Sequence, residues 1–523
     1  MSPATGVQNK LAIIDVGLFL LAVLGGLAHA LSLAWPFQAG PRGEPSSWLQ
    51  ILSLALLAFL LKRSATPRRS ALLGWAFATA MLAGTFWWLF ISLHRYGGLP
   101  APLAVVAVGA LAAALAIYYA LACGLFKRLA PVSVEGQSAL FAGLWLLAEL
   151  ARVWLFTGFP WGEGGYAHID GWARPLAAMV GVHGLTWLAA LLASLLGFSL
   201  AGNRTSFWKA GAALGLAIAL VFLPAAGKGP AAWHAPLTIS LVQGNIAQDE
   251  KFQPGTGIAD ALRYYGEQLQ SASTSLVVLP ETALPLLPSQ LPGDYWRALQ
   301  SRFATGNQAA LVGMPLTAGA GRYSNSVLGF QPGQSEPYRY DKHHLVPFGE
   351  FIPPLFRWFT DMLNIPLGDF KRGDIGQSSL MWRGERLAPN ICYEDLFGEE
   401  LGARFSDPAT APTIFVNVSN IAWFGNTVAI DQHLQISRMR ALEFARPMVR
   451  ATNTGATVVI DAQASVVASL PRHTRGVLVT SVQGNSEMTP YARWVSRLGL
   501  WPWLALCLLT VVAAVFARRR VKP

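Results

Sequence analysis

The chain has 523 residues, 53% of them hydrophobic and only 13% charged, and its 39 basic against 28 acidic residues give a formal net charge of +11. A soluble protein carries roughly twice that charged fraction, so the composition excludes an ordinary soluble enzyme and points to a polytopic membrane protein with an appended domain. It also argues against a nucleic-acid surface, because the basic residues cluster beside apolar runs and do not interleave with aromatics on a polar face.

A bilayer core about 30 Å thick requires ~20 apolar residues per spanning helix. Seven spans are predicted before residue 225, at about 12–34, 47–61, 71–93, 102–126, 138–156, 176–200 and 207–224, the second of them short. The first has too long an apolar core, and no small-residue cleavage site, for a signal peptide. Two connecting segments are rich in unusual residues, Trp87 to Pro100 and Gly158 to Tyr166. Glu149 and Arg152 stand one turn apart near the end of the fifth span, where ionisable groups pair with each other or mark a site. The structural pair is the plainer of those two readings.

From residue 225 to 496 the pattern changes to short β-branched runs alternating with helical ones. Strands are predicted at 237–243, 275–279, 310–314, 326–330, 388–393, 413–418, 448–452, 457–461 and 476–482, and helices at 257–271, 294–305, 396–405 and 431–444. Such alternation suits sheets covered by helices, and a block of this size buries its own core. The apolar, proline-bounded stretch 354–366 reads either as core or as an interfacial arm dipping Phe356 and Phe359 into a leaflet. Arg438, Arg440 and Glu443 on the last of these helices read as solvated or structural.

An eighth span is predicted near 497–517, followed by Arg518, Arg519, Arg520 and Lys522. With eight spans, these residues share one side with Lys10, with Lys62, Arg63, Arg68 and Arg69, with Lys127 and Arg128, and with Arg204 and Lys209. The positive-inside rule makes that side cytoplasmic and places the block 225–496 outside it, in the periplasm of a bacterial cell. The expected organisation is a membrane domain over 1–224, a periplasmic domain over 225–496, and an eighth helix with a basic tail over 497–523.

Cys392 is the only cysteine of that outer block; Cys123 and Cys507 lie in predicted spans. In an oxidising compartment a lone thiol has no disulfide partner, which makes it a candidate nucleophile. Three polar signals stand where strands should end: Glu281 in Val277-Val278-Leu279-Pro280-Glu281-Thr282, Lys342 and Glu350 in the run from Tyr340 to Glu350, and Cys392 in Asn390-Ile391-Cys392-Tyr393-Glu394. Ligand crevices of α/β folds form at such strand ends. A carboxylate that moves a proton, a fixed ammonium and a thiol make a complete acyl-transfer set. His343 and His344 are adjacent and would diverge in an extended segment, so no metal site is expected.

These motifs carry a family resemblance. The outer block resembles the nitrilase superfamily, marked by a Glu-Lys-Cys triad in this chain order. Joined to eight spans, it resembles the bacterial apolipoprotein N-acyltransferases through LPETALP around Glu281, YDKHHLVPFGEFIP around Lys342 and Glu350, ICYED around Cys392, SNIAWFG at 419–425, and GFPWG at 158–162. The resemblance implies a polytopic α-helical membrane domain of eight transmembrane helices carrying a periplasmic α/β, nitrilase-like αββα sandwich. It implies Glu281 as general base, Lys342 as oxyanion and thiolate stabiliser, and Cys392 as nucleophile. Glu350 would be a second essential carboxylate or would orient Lys342; Tyr393 and Glu394 would follow the nucleophile in supporting roles. Trp423 matches an aromatic of a loop that guards lipid entry. Phe252, after Lys251, departs from the Lys-Trp expected there and keeps an aromatic surface without the indole N–H. The implied reaction moves an acyl chain from a membrane phospholipid through a Cys392 thioester to the α-amine of a diacylated apolipoprotein. It uses no cofactor and no nucleic acid, and a monomer in the bacterial inner membrane would perform it. A membrane-tethered amide hydrolase would use the same triad with water as acceptor. A transporter or sensor whose outer block only binds would leave the triad without a task.

Overall fold

The computed structural model describes residues 3–37, 42–202, 235–319, 321–352 and 370–519, with side chains from residue 16 onward. The predicted span 207–224, with Arg204 and Lys209, and the predicted interfacial residues Phe356 and Phe359 lie outside the described residues. Contacts divide the chain into two units, and the segment Ile91–Pro100 falls with the second.

The first unit is helical: α1 (Pro3–Leu33), α2 (Ser47–Arg63), α3 (Pro67–Phe86), α4 (Ala101–Leu129), α5 (Val134–Trp154), α6 (Ala177–Leu200) and a C-terminal helix, Trp501–Arg519. Ser46, Thr66 and Ser133 cap α2, α3 and α5 by accepting from backbone N–H groups three residues on. Among the described residues, five helices are long and apolar enough to cross a membrane, or six if the bent pair Pro67–Phe86 and Leu89–Tyr96 counts as one span. Two expectations change here. The short second run forms a helix of 17 residues, and the third predicted span is not one straight helix but bends by 62° after Phe86. The bend follows from packing: Phe86 sits edge-on to Phe159 at 5.3 Å and the buried Trp88 to Trp161 at 4.8 Å, so the 158–162 segment holds both sides of the break.

Small residues let these helices approach closely. A Cβ on Gly26 of α1 would lie 2.1 Å from the Phe77 carbonyl oxygen of α3, and one on Gly74 of α3 would lie 2.6 Å from Cys123 Sγ of α4. Glu149 and Arg152 both serve the segment after α5. Glu149 Oε1 accepts from Gly164 N–H at 3.1 Å, while Arg152 donates to the Phe159 and Trp161 carbonyls at 3.1 and 2.5 Å. The basic residues gather at one end. Lys127 Nζ donates to the Leu61 and Lys62 carbonyls, and Lys62 Nζ to Gln137 Oε1 at 2.7 Å. Trp154 and Trp501 meet at 6.1 Å and Gly143 faces Thr510, so the C-terminal helix runs antiparallel to α5 and brings Arg518 and Arg519 to that same end.

The second unit holds twelve strands in two sheets of six, ordered β12-β1-β2-β3-β4-β5 and β11-β10-β9-β8-β7-β6. They are β1 (Leu237–Gln243), β2 (Leu276–Val278), β3 (Ala309–Thr317), β4 (Tyr323–Phe330), β5 (Tyr338–Asp341), β6 (Leu380–Trp382), β7 (Glu385–Ile391), β8 (Ile414–Ser419), β9 (Met448–Thr452), β10 (Val458–Ile460), β11 (Val466–Ser469) and β12 (Gly476–Val482). The middle three strands of each sheet, β1-β2-β3 and β7-β8-β9, are parallel, and the flanking pairs are antiparallel. One core joins the sheets face to face, with Ile239, Leu241 and Val278 of one meeting Ile391, Val416 and Val449 of the other. The outer face of the first sheet packs on α7 (Ala259–Ser271) and α8 (Gly293–Ala304). Against the second sheet lies α9 (Ala429–Phe444), whose Phe444 stacks edge-on to Phe415 of β8. A last amphipathic helix, α10 (Pro490–Leu498), closes the unit.

Three of these strands, β5, β6 and β11, were not expected from the sequence, and the strand predicted to run to residue 393 ends at Ile391. From Cys392 to Leu396 the chain turns as a 3-10 helix, because Glu394 reaches back to accept from Ile391 N–H at 2.6 Å.

Candidate active site

Three sequence-distant strand ends converge. Glu281 is the third residue after β2, Lys342 follows β5 directly, and Cys392 follows β7 directly. The backbone is in the left-handed region at Thr282 (φ 49°), Phe348 (φ 61°) and Cys392 itself (φ 51°), beside each predicted group. Such strain in residues with side chains persists where the surroundings over-determine it, and it concentrates at functional sites.

Lys342 is buried and lies between two carboxylates, 3.3 Å from Glu281 Oε1 and 2.9 Å from Glu350. One amide ties those carboxylates together: Asn325 Nδ2, from β4, donates to Glu281 Oε1 at 2.8 Å and to Glu350 Oε1 at 2.7 Å. Asn420, just past β8, donates its N–H to Glu281 Oε2 at 2.8 Å, and Val346 N–H serves Glu350 Oε2 at 2.9 Å. Burial alone would raise the Glu281 pKa, but the ammoniums of Lys342 and Lys251, with Asn325 and Asn420, outweigh it and hold the carboxyl below its ordinary range. Burial would likewise discharge Lys342, and the charges of Glu350 and Glu281 reverse that and raise its pKa. The Cys392 thiol moves the other way. Burial and then the Glu281 charge push it up to about 12, against the opposing pull of Lys342. The resting site therefore groups a thiol with an ionised carboxylate and an ammonium, an arrangement that can supply a nucleophile and a base.

Glu394 does scaffolding work. Besides Ile391 N–H, its carboxylate accepts from Tyr340 Oη at 2.8 Å and from the backbone N–H of His343 at 2.6 Å and His344 at 3.3 Å. It thus joins the residues beside Lys342 to the Cys392 turn. Tyr393 is buried between His344 and Phe397. His343 Nδ1 bonds the Gly373 carbonyl and His344 Nδ1 bonds Glu400 Oε1, so the adjacent imidazoles diverge. Arg440 forms a buried ion pair with Glu443 at 2.8 Å, a structural role. Trp423 stands on the turn Ala422–Phe424 with the Tyr96 ring edge-on at 5.5 Å, and Phe252 is 46% exposed.

Several residues of the site were missed in the sequence. Asn325 was hidden in the polar start of a strand, Ser324-Asn325-Ser326, three consecutive polar residues whose burial only the structure reveals. Lys251, next to Phe252, is buried and donates to the Glu281 carbonyl at 3.0 Å. His433 of α9 places Nε2 3.2 Å from the Cys392 carbonyl and 3.0 Å from Asp395 Oδ1, while Arg450 Nη2 donates to its Nδ1 at 3.2 Å. The His433 ring thus ties α9 to Asp395, to Arg450 and to the Cys392 carbonyl.

Comparison with known proteins agrees with this architecture. The family described as "Apolipoprotein N-acyltransferase N-terminal domain" matches residues 18–195, and that described as "Carbon-nitrogen hydrolase" matches residues 238–491. An apolipoprotein N-acyltransferase of Verminephrobacter eiseniae (strain EF01-2) is 59% identical over 92% of this chain and 92% of its own. One from Ralstonia nicotianae is 44% identical over 96% of this chain and 93% of its own, and one from Bordetella bronchiseptica is 41% identical over 95% and 96%. With a nitrilase-like unit, a helical unit and relatives matched along almost their whole length, the chain belongs to the apolipoprotein N-acyltransferase family.

Proposed function

We propose that the chain moves a fatty acyl group from a membrane phospholipid to the α-amine of an N-terminal diacylglyceryl-cysteine, with Cys392 as nucleophile, Glu281 as general base and Lys342 as the stabilising cation. The observation that carries this reading is Cys392 on a strained strand end beside a buried carboxylate and ammonium, Glu281 and Lys342, 3.3 Å apart. In the first half-reaction the thiol sulfur attacks the ester carbonyl and its proton passes to Glu281. The tetrahedral oxyanion collapses, the C–O bond breaks, and Glu281 returns the proton to the departing lysophospholipid. A thioester on Cys392 remains. In the second half-reaction the acceptor amine gives a proton to Glu281 and attacks the thioester. The C–S bond breaks, the thiolate regains that proton, and an amide is released. Lys342, fixed by Glu350, offsets negative charge on sulfur and oxyanion without having to move.

The grouping of Lys62, Lys127, Arg518 and Arg519 at one end of the helical unit supports the proposed orientation, with that end in the cytoplasm and residues 225–496 in the periplasm. In this reading residues 1–224 and 497–523 provide eight spans in the inner membrane, and one chain supplies every group as a monomer. Phe252 and Trp423 line the approach of the acyl chain, and Phe356 and Phe359 act as its interfacial arm.

The test is intact mass of the full chain after incubation with phospholipid vesicles. An added acyl mass is expected, absent in Cys392→Ala and discharged by a diacylated lipopeptide with N-acylated product. Free fatty acid without N-acylated product would replace the transferase with a hydrolase. An acyl mass that survives in Cys392→Ala would remove the thiol from the mechanism.

A further inference from the structure

Lys342 is not the only ammonium within the site. Lys251 comes from the chain after β1, in the turn that follows Ala247, and it is only 3% exposed. Its placement is built. Gly257 lies so close behind it that a Cβ there would fall 2.0 Å from the Glu250 carbonyl oxygen and 2.8 Å from Lys251 Cα. Its Nζ donates to the main-chain carbonyl of Glu281 at 3.0 Å and sits 6.0 Å from the centre of the Phe252 ring. Lys342, by contrast, spends its charge on two carboxylates at 3.3 and 2.9 Å. The titratable groups facing Lys251 are Glu281, from the β2 end, and Cys392, from the β7 end, with Lys342 and Glu350 beyond Glu281.

When the Cys392 proton moves to Glu281, the negative charge shifts from carboxylate to sulfur. A cation that faces both groups stabilises the arrangement before and after the transfer and loses nothing in it. We infer that Lys251 is a positioning residue of the acyl-transfer site, holding the Glu281 turn by its hydrogen bond and supplying a second positive charge that favours the Cys392 thiolate. This rests on the proposed role of Cys392. Burial supports a further consequence, because it lowers the Lys251 pKa to about 8 against the pull of Glu281 and Cys392. The second charge is then present at neutral pH and fades as pH climbs through 8, so its help to the thiolate fades with it.

The experiment follows Cys392 alkylation by iodoacetamide in the full chain in lipid nanodiscs, from pH 6.5 to 10, for the parent chain, Lys251→Met, Lys251→Gln and Lys251→Arg. Cys123→Ala and Cys507→Ala are present throughout, so that Cys392 is the only thiol read. Alkylation rate follows the thiolate fraction. Lys251→Met is expected to react ~10-fold more slowly than the parent at pH 7, a shift of about one pKa unit, with the gap closing toward pH 10. Lys251→Gln retains a hydrogen-bond donor without the charge and should behave like Met, which also covers a Met variant that fails to fold. Lys251→Arg keeps its charge and should keep the ~10-fold advantage over Lys251→Met at every pH up to 10, where the parent loses it. A slowing by the same factor at every pH would mean that Lys251 only holds the loop, and a Lys251→Met rate equal to the parent at pH 7 would overturn the inference outright. Alkylation needs no acyl donor or acceptor, so these outcomes are read separately from the intact-mass test of the proposed function.

Discussion

Asn325 shows how much a single polar hydrogen-bond donor controls at this site. Its one amide nitrogen serves Glu281 and Glu350 together, so two carboxylates that would repel each other share a donor as well as the Lys342 ammonium. Asn325→Asp keeps the shape and reverses the function, setting a third carboxyl against the first two. It should destabilise the chain by about 3 kcal/mol and lower acyl-enzyme formation at least ~100-fold, read by thermal unfolding and by intact mass. An Asn325→Asp chain with parent activity would show that the shared donor is dispensable. Glu281, Lys342 and Cys392 were legible in the sequence because each stands in a short motif at a strand end. Asn325, Lys251 and His433 were not, since each reaches the site from a different strand, turn or helix and acts on a neighbour rather than on substrate. No local pattern announces a residue whose partner lies 44 positions away, as Asn325 does from Glu281.

At the scale of elements, the site depends on how closely neighbouring strands let the Glu281 turn approach. Gly313 of β3 is the clearest case. Its carbonyl accepts from Leu284 N–H, and a Cβ on it would lie 2.2 Å from the Pro280 carbonyl oxygen and 2.9 Å from Glu281 Cα. Gly313→Ala should therefore push the turn outward. Overpacking of this kind costs ~1–3 kcal/mol, and a displacement near 1 Å costs ~100-fold in rate, so activity should fall much further than the melting temperature. Equal, mild effects on both would show that the turn accommodates the methyl. The long parallel strands were readable as apolar runs, and α9 by its extent. The three-residue strands β2 and β10 continue in sequence as longer apolar runs, whereas β5 carries Tyr-Arg-Tyr-Asp, a polar composition that reads as loop. The break in α3 was hidden for a different reason. Trp87 and Trp88 extend the apolar run, while the bend comes from tertiary packing on Phe159 and Trp161.

For the whole molecule, the two sheets repeat one plan, three parallel strands flanked by antiparallel ones, and Glu281, Lys342 and Cys392 come from both sheets. Sequence periodicity separated the helical unit from the α/β unit but could not assign Ile91–Pro100, which contacts place with the second unit through Tyr96 against Trp423 and Arg95 near Asp249 at 3.7 Å. The pairing of β1 with β12 has a consequence for biogenesis. The first strand of the α/β unit bonds along its length to the last, from Leu237 opposite Val482 to Gln243 opposite Gly476. Pairing across so many residues makes a slow, late-closing contact. Until synthesis has delivered Gly476–Val482, β1 presents a bare edge, the kind of edge that recruits foreign strands. A chain truncated before Gly476 should accordingly aggregate or be degraded rather than accumulate as a partly active enzyme, as pulse-chase and fractionation would show. Soluble accumulation of that fragment would mean that the sheet closes without its final strand. The crevice that holds Glu281, Lys342 and Cys392 is thus finished only when the last strand of the unit has been made and has paired.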